Sequence, residues 1–304
     1  MKYFKLWAPA IALALSLNLS AQTPSDAILM EKGQICLAAL YTHDTWDEYW
    51  EGTLKRNNEN IGTLTRQTVM PMFALGITDR INVIAGLPWV RTSASAGQMT
   101  GVSGLQDAGL WVKAKALEFK SGESALTLHA TAGLTVPASN YLADYMPFSL
   151  GLGCVDGSLR AIVQYQWKGW YARAHSGYHV RGNTTIERDY YYTTQDYYTD
   201  EVDMPNALDY GAALGWWNPA GTLKAELLMD GLQTLGGFDI RRQDAPFPSN
   251  KMNFTRLGAG VQYYPLSGTG LGIIASGGYV VAGRNMGQSL VLTGGVTYQF
   301  HIWH

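Results

Sequence analysis

The chain has 304 residues, with 22 Lys and Arg against 24 Asp and Glu, and 15% of its residues are charged. That balance excludes a surface built for nucleic acid, while 34 Gly, 18 Tyr and 10 Trp suit many strands with aromatic belts at two interfaces. Two cysteines, Cys36 and Cys154, are too few for a disulfide framework.

Residues 1–21 carry Lys2 and Lys5, an apolar run from Leu6 to Leu15, and small Ser20 and Ala21 before Gln22. This is the pattern of a secretory signal peptide cut after Ala21. A membrane-anchoring helix needs about 20 apolar residues, and this run is shorter and meets polar Gln22-Thr23-Pro24-Ser25 at once. Cleavage removes two lysines and leaves the mature chain near −4, at about neutral pH. No later stretch is long and apolar enough to cross a bilayer as a helix, so any crossing is made by strands.

Strands begin after Gly33. In the stretch from Arg66 to Leu117, Val69, Pro71, Phe73, Leu75 and Ile77 share one parity. After the Thr78-Asp79-Arg80 turn, Ile81, Val83, Ala85, Leu87 and Trp89 do the same. A period of two places each set on one face of a strand. Apolar alternation then returns along the chain, and the connections fall into two lengths. Short ones lie at 76–80, 120–123, 168–169, 218–221 and 266–270; long ones lie at 43–61, 92–103, 137–156, 182–206 and 236–253, with a shorter one at 283–288. Short and long take turns, as the turns and outer loops of an outer-membrane barrel do. The spacing predicts an all-β fold: a transmembrane, antiparallel, up-and-down β-barrel of about 12 strands over 33–304, with both termini periplasmic.

The strand from Gly169 presents Trp170, Ala172, Ala174, Ser176, Tyr178 and Val180 outward, with Trp170 and Tyr178 at the two headgroup levels. Its inward set is Tyr171, Arg173, His175, Gly177, His179 and Arg181, with no carboxylate. By the same parity the interior receives Arg66, Lys113, Lys115, His129, Arg160, Lys224 and Arg256, against Asp107, Asp209, Glu226 and Asp230. Such charges suit a wet lumen and a solute path; the alternative is an internal ion-pair network plugging a narrow barrel. The wall at Arg173, His175, His179 and Arg181 is expected to favour anions, less whatever Glu226 and Asp230 neutralise. The last strand closes on Phe300, similar to the terminal aromatic read by the barrel assembly machinery, although His301 to His304 follow it.

The segment from Gly76 to Arg80, Pro88, and Gly104 to Lys113 resemble the outer-membrane barrels of the MetA-pathway-of-phenol-degradation family, relatives of the long-chain fatty-acid channel. In that family a GITDR-like turn joins two strands, a Pro lies near the outer end of the second, and a Gly-rich segment opens the next. Gln106 replaces its second Gly, and Ala138 and Ser139 stand where Thr and Gly are commoner near Tyr141. The resemblance implies an outer-membrane channel of a diderm bacterium that passively admits small hydrophobic or aromatic solutes, aromatic acids among them, without a cofactor. Its other partners would be outer-membrane lipid and lipopolysaccharide.

Further candidate sites arise from the residues. Histidines 129, 175 and 179 do not make a metal site, because His175 and His179 stand about 13 Å apart along a strand. Ser176 beside His175 is no catalytic pair, since strand neighbours point to opposite faces; the carboxylates Asp44, Asp47, Glu48 and Glu51 leave a rim hydrolase as a lesser alternative. In the outer loops, Trp46, Tyr49 and Trp50, and again Tyr190, Tyr191, Tyr192, Tyr197 and Tyr198, mix with carboxylates. Either they bind a glycan or protein partner above a closed barrel, or they are loop packing. Cys36, inward on the first strand, and Cys154, in a long loop, are either a bridge or two small free residues. Residues 22–32 are read as a short periplasmic tail, able to reach the lumen but too short for the large plug of a gated transporter.

Overall fold

The computed structural model describes residues 22–240, 245–265 and 269–303. The expected signal peptide at 1–21, part of the 236–253 loop and part of the 266–270 turn lie outside the described residues. Twelve strands form the barrel: β1 Gln34–Trp46, β2 Leu64–Thr78, β3 Ile81–Gly86 continued as Trp89–Ala94, β4 Asp107–Ser121, β5 Ser124–Pro137, β6 Asp156–Trp167, β7 Trp170–Arg181, β8 Ala207–Trp217, β9 Leu223–Thr234, β10 Asn253–Tyr263, β11 Leu271–Arg284 and β12 Leu290–His301. Each is antiparallel to its chain neighbours, and β1 closes on β12 from Gln34↔His301 to Thr45↔Leu290. Closure leaves no unpaired sheet edge, a condition for crossing lipid with strands.

The predicted parity holds along the wall. Val69, Ile81, Trp89, Leu159, Val180, Leu214, Leu227, Leu292 and Val296 are exposed on the outside, where lipid would cover them. Phe119, Tyr165, Trp167, Trp170, Tyr263 and Tyr298 gather toward the short turns, and Tyr41, Trp89, Tyr178 and Tyr279 toward the long loops. Trp170 and Tyr178 are separated by about 26 Å of strand, or ~20 Å of height at a tilt near 40°, close to the apolar band of such barrels.

Glycines on the inner face seat large side chains against the wall. Trp111 lies over Gly109 and Gly133, Tyr171 over Gly215 and the Asp209 carboxylate over Gly177; a Cβ at any of these glycines would collide with the group it carries. Pro88 interrupts β3 where the family pattern suggested a strand end. Proline has no N–H for the ladder, so pairing with β4 stops at Gly86↔Gly109 and resumes beyond it, where Trp89–Ala94 pairs with β2 and with the short strand Ser103–Leu105.

Candidate functional site

Residues 22–32 fold into the lumen, which the short tail is expected to be able to reach. The side-chain amides of Asn82 and Gln22 meet at 2.8 Å. Lys113, fully buried, reaches Asp26 at 2.8 Å and also donates to the carbonyls of Thr23, Asp26 and Ile28. Met30 packs with Cys36, Ala74 and Ile84, an apolar patch on the inner face. Burial opposes charge on Asp26, but Lys113, Arg173 and Lys224 outweigh it and hold this carboxyl below its usual range.

The remaining inward charges form compact clusters. Arg160 grips Asp209 with two 2.9 Å bonds, and the same carboxylate receives His179 at 2.9 Å and His175 at 3.4 Å. Both histidines reach it because Asp209 pairs opposite Gly177, midway between them, where no side chain intervenes. His179 also meets Asp156, which lies 3.7 Å from Arg181. Glu226 holds Arg173 at 3.2 Å and Lys224 at 2.9 Å, and accepts from the Tyr171 hydroxyl. The expected basic wall is therefore corrected: β7 has no carboxylate of its own, but Asp156 on β6, Asp209 on β8 and Glu226 on β9 neutralise it. Parity places Asp209 and Glu226 inside, with Glu226 as a neutralising group, but which cation each meets is set by the register of β6 to β9.

Arg66 and Asp107 point inward but hold a loop. Arg66 donates to the carbonyls of Ser149 and Leu150, and Asp107 accepts from the Tyr141 hydroxyl and the Leu152 N–H. These bonds draw the 138–155 loop into the barrel mouth, where Phe148 is buried against Ile61 and Leu64. Burial and Asp107 push the Tyr141 phenol well above its ordinary value, so it remains a donor. Lys115 pairs with Glu118 near the short turns, away from the clusters. His129 is buried on β5, across β6 from His175.

Cys36 and Cys154 are free and buried, so the bridge is not made. Burial pushes the Cys154 thiol up to about 11, leaving it protonated and unreactive. Ser176 donates to the Asp209 carbonyl on the outer side while His175 points inward. Of the rim carboxylates, Glu48 and Glu51 pair with Lys55 and Arg56 across a small hairpin. Trp46 and Tyr49 pack together, and Trp50 is buried. In the β7–β8 loop, Tyr191 stacks on Tyr197 within a small core of Ile186 and Val202, whereas Tyr190, Tyr192 and Tyr198 are exposed.

Beside the inserted tail a cavity of 390 Å³ remains, bounded by Thr23, Ser25 and Asp26 on one side and by β6 to β10 on the other. Leu228, Leu232 and Phe254 supply apolar wall. On the same wall Arg256 forms a two-bond pair with Asp230, its register partner, at 3.2 and 2.8 Å.

No family model matches the chain, and no curated protein matches it. Among solved structures, the COG4313 outer membrane channel from Pseudomonas putida F1 superposes with a TM-score of 0.70 at 16% identity, covering 92% of this chain and 100% of that one. The translocator domain of the autotransporter NalP from Neisseria meningitidis aligns at a TM-score of 0.45 and 10% identity, over 88% and 89% of the two chains. A TodX monoaromatic hydrocarbon channel carrying the deltaS2S3 mutation aligns at 0.45 and 9% identity, over 89% and 91%. A closed twelve-strand barrel with an apolar belt, similar over nearly its whole length to an outer-membrane channel, has the fold that the sequence resemblance implied.

Proposed function

We propose that this protein is an outer-membrane channel for the passive uptake of small hydrophobic or aromatic solutes in a diderm bacterium. The observation that carries the reading is the 390 Å³ cavity inside a closed barrel, with apolar Leu228, Leu232 and Phe254 beside charged side chains. Its size falls in the range of about 300–1,000 Å³ usual for small-molecule sites. Aromatic acids gain no special advantage, because Arg160, Arg173 and Arg181 each face a carboxylate. The inserted tail and the 138–155 loop narrow the route at its two ends, so the flux is slow and selective by size. The test is swelling of liposomes containing the purified, refolded mature chain. Benzyl alcohol should enter faster than a disaccharide; no uptake of any solute above protein-free liposomes overturns the reading.

A second reading has one observation in its favour. Tyr190 and Tyr198, 5.3 Å apart and exposed, crown a loop with its own small core, as a carbohydrate-binding platform would. Glycan binding lost in the Tyr190→Ala, Tyr198→Ala double variant, with no solute uptake by the parent, would favour a closed binding barrel.

A further inference from the structure

Among the described residues, the ion pair between Arg256 and Asp230 differs from the buried pairs around the tail. Arg160–Asp209 and Arg173–Glu226 have side chains only 9–13% exposed, and Lys224 and Asp26 are more buried still. Arg256 and Asp230 are 32% and 35% exposed and face the cavity. They pair directly across β9 and β10, and the Arg256 guanidinium lies 5.9 Å from the Phe254 ring centre.

We propose that the cavity binds a small zwitterion bearing an apolar group, with phenylalanine as the type. The inference deepens the channel reading, and rests on it for the route by which solute arrives. The argument begins with charge. The cavity is lined by four basic side chains, Arg160, Arg173, Lys224 and Arg256, with His175 beside them. It is lined equally by four carboxylates, Asp26, Asp209, Glu226 and Asp230. A solute with one net charge is therefore not drawn in by the field as a whole. At the accessible pair it would match one partner and be repelled by the other.

A zwitterion matches both without breaking the pair. The two bonds between Arg256 and Asp230 use two of the five guanidinium donors and leave lone pairs free on the carboxylate. An incoming carboxylate takes the remaining Arg256 donors, and an incoming ammonium takes the remaining Asp230 lone pairs. The apolar group then lies against Leu228, Leu232 and Phe254, which flank the pair on the same inner faces of β9 and β10. A purely apolar solute would leave the pair's free donors and acceptors without partners, which costs binding.

The test is calorimetric titration of the refolded, full mature chain in detergent at pH 7 with phenylalanine, phenylacetate and phenethylamine. Phenylalanine should bind about tenfold more tightly than either singly charged analogue, the effect of roughly one charge-assisted hydrogen bond. Asp230→Asn should weaken phenylalanine about tenfold while sparing phenylacetate, and Arg256→Gln should weaken both acids and spare phenethylamine. Equal binding of the three ligands, no binding of phenylalanine, or variants that bind as the parent does overturn the proposal. If either single variant fails to fold by circular dichroism, the exchanged pair Asp230→Arg with Arg256→Asp keeps both charges; it must retain the preference for phenylalanine. Liposome swelling separates the two readings. Phenylalanine binding without uptake of any solute overturns the channel alone, and uptake of benzyl alcohol without phenylalanine binding overturns the site alone.

Discussion

Asp209 illustrates how much one backbone position decides. Its carboxylate serves Arg160, His175 and His179 because Gly177 leaves space beside it. Gly177→Ala would place a methyl group against that carboxylate, and overpacking of this kind costs about 1–3 kcal/mol. Urea unfolding in lipid vesicles should register the loss, and Gly157→Ala on β6, where nothing lies within 4 Å, should be nearly neutral. Parity makes a second prediction. Arginine at outward Leu292 should cost about 2–4 kcal/mol near the bilayer midplane, and far less at inward Thr293. Equal costs would contradict the alignment of β12 against β1 and β11.

At the scale of elements, the inserted tail is held by one buried ion pair and a set of carbonyls around Lys113. Because Asp26 is held below its ordinary 3.8, the pair contributes fully above that value, and its contribution is lost as pH falls through the lower folded value. A spin label at Ser25→Cys should stay immobile between about pH 8 and 5 and become mobile only in stronger acid, below the usual carboxylate range. Mobility already at pH 7 would mean that the tail is not docked. Asp26→Asn should free it at neutral pH, since an unpaired buried Lys113 is costly. Removal of 22–32 should raise single-channel conductance; an unchanged value would place the constriction at the 138–155 loop.

For the molecule as a whole, charge balance replaces the anion-favouring wall. Reversal potentials across a salt gradient should show little ion preference in the parent. Arg173→Gln should strand Glu226 beside Lys224 and lower stability more than it changes selectivity. A weak anion preference in the parent that this variant loses would restore the earlier expectation. Topology follows from the alternation of turns and loops: protease added to intact cells should cut near Tyr191, in the long loop between β7 and β8. Cutting only after the outer membrane is broken would reverse the assignment of its two sides.

The sequence by itself determined the barrel. Lipid outside and polar side chains inside impose a period of two on every strand, so Trp170, Tyr178, Leu292 and the inward charges could be placed from parity alone. Turn chemistry and loop length gave the strand count, since a strand's direction reverses at each connection. Only the tertiary structure decided the partners. Asp156, Asp209 and Glu226 meet β7 through register and curvature, which no single strand encodes. The tail's entry into the lumen brings Asp26 and three tail carbonyls onto Lys113, which points inward on β4. That is a property of the closed barrel, and it exists only once β1 has paired with β12.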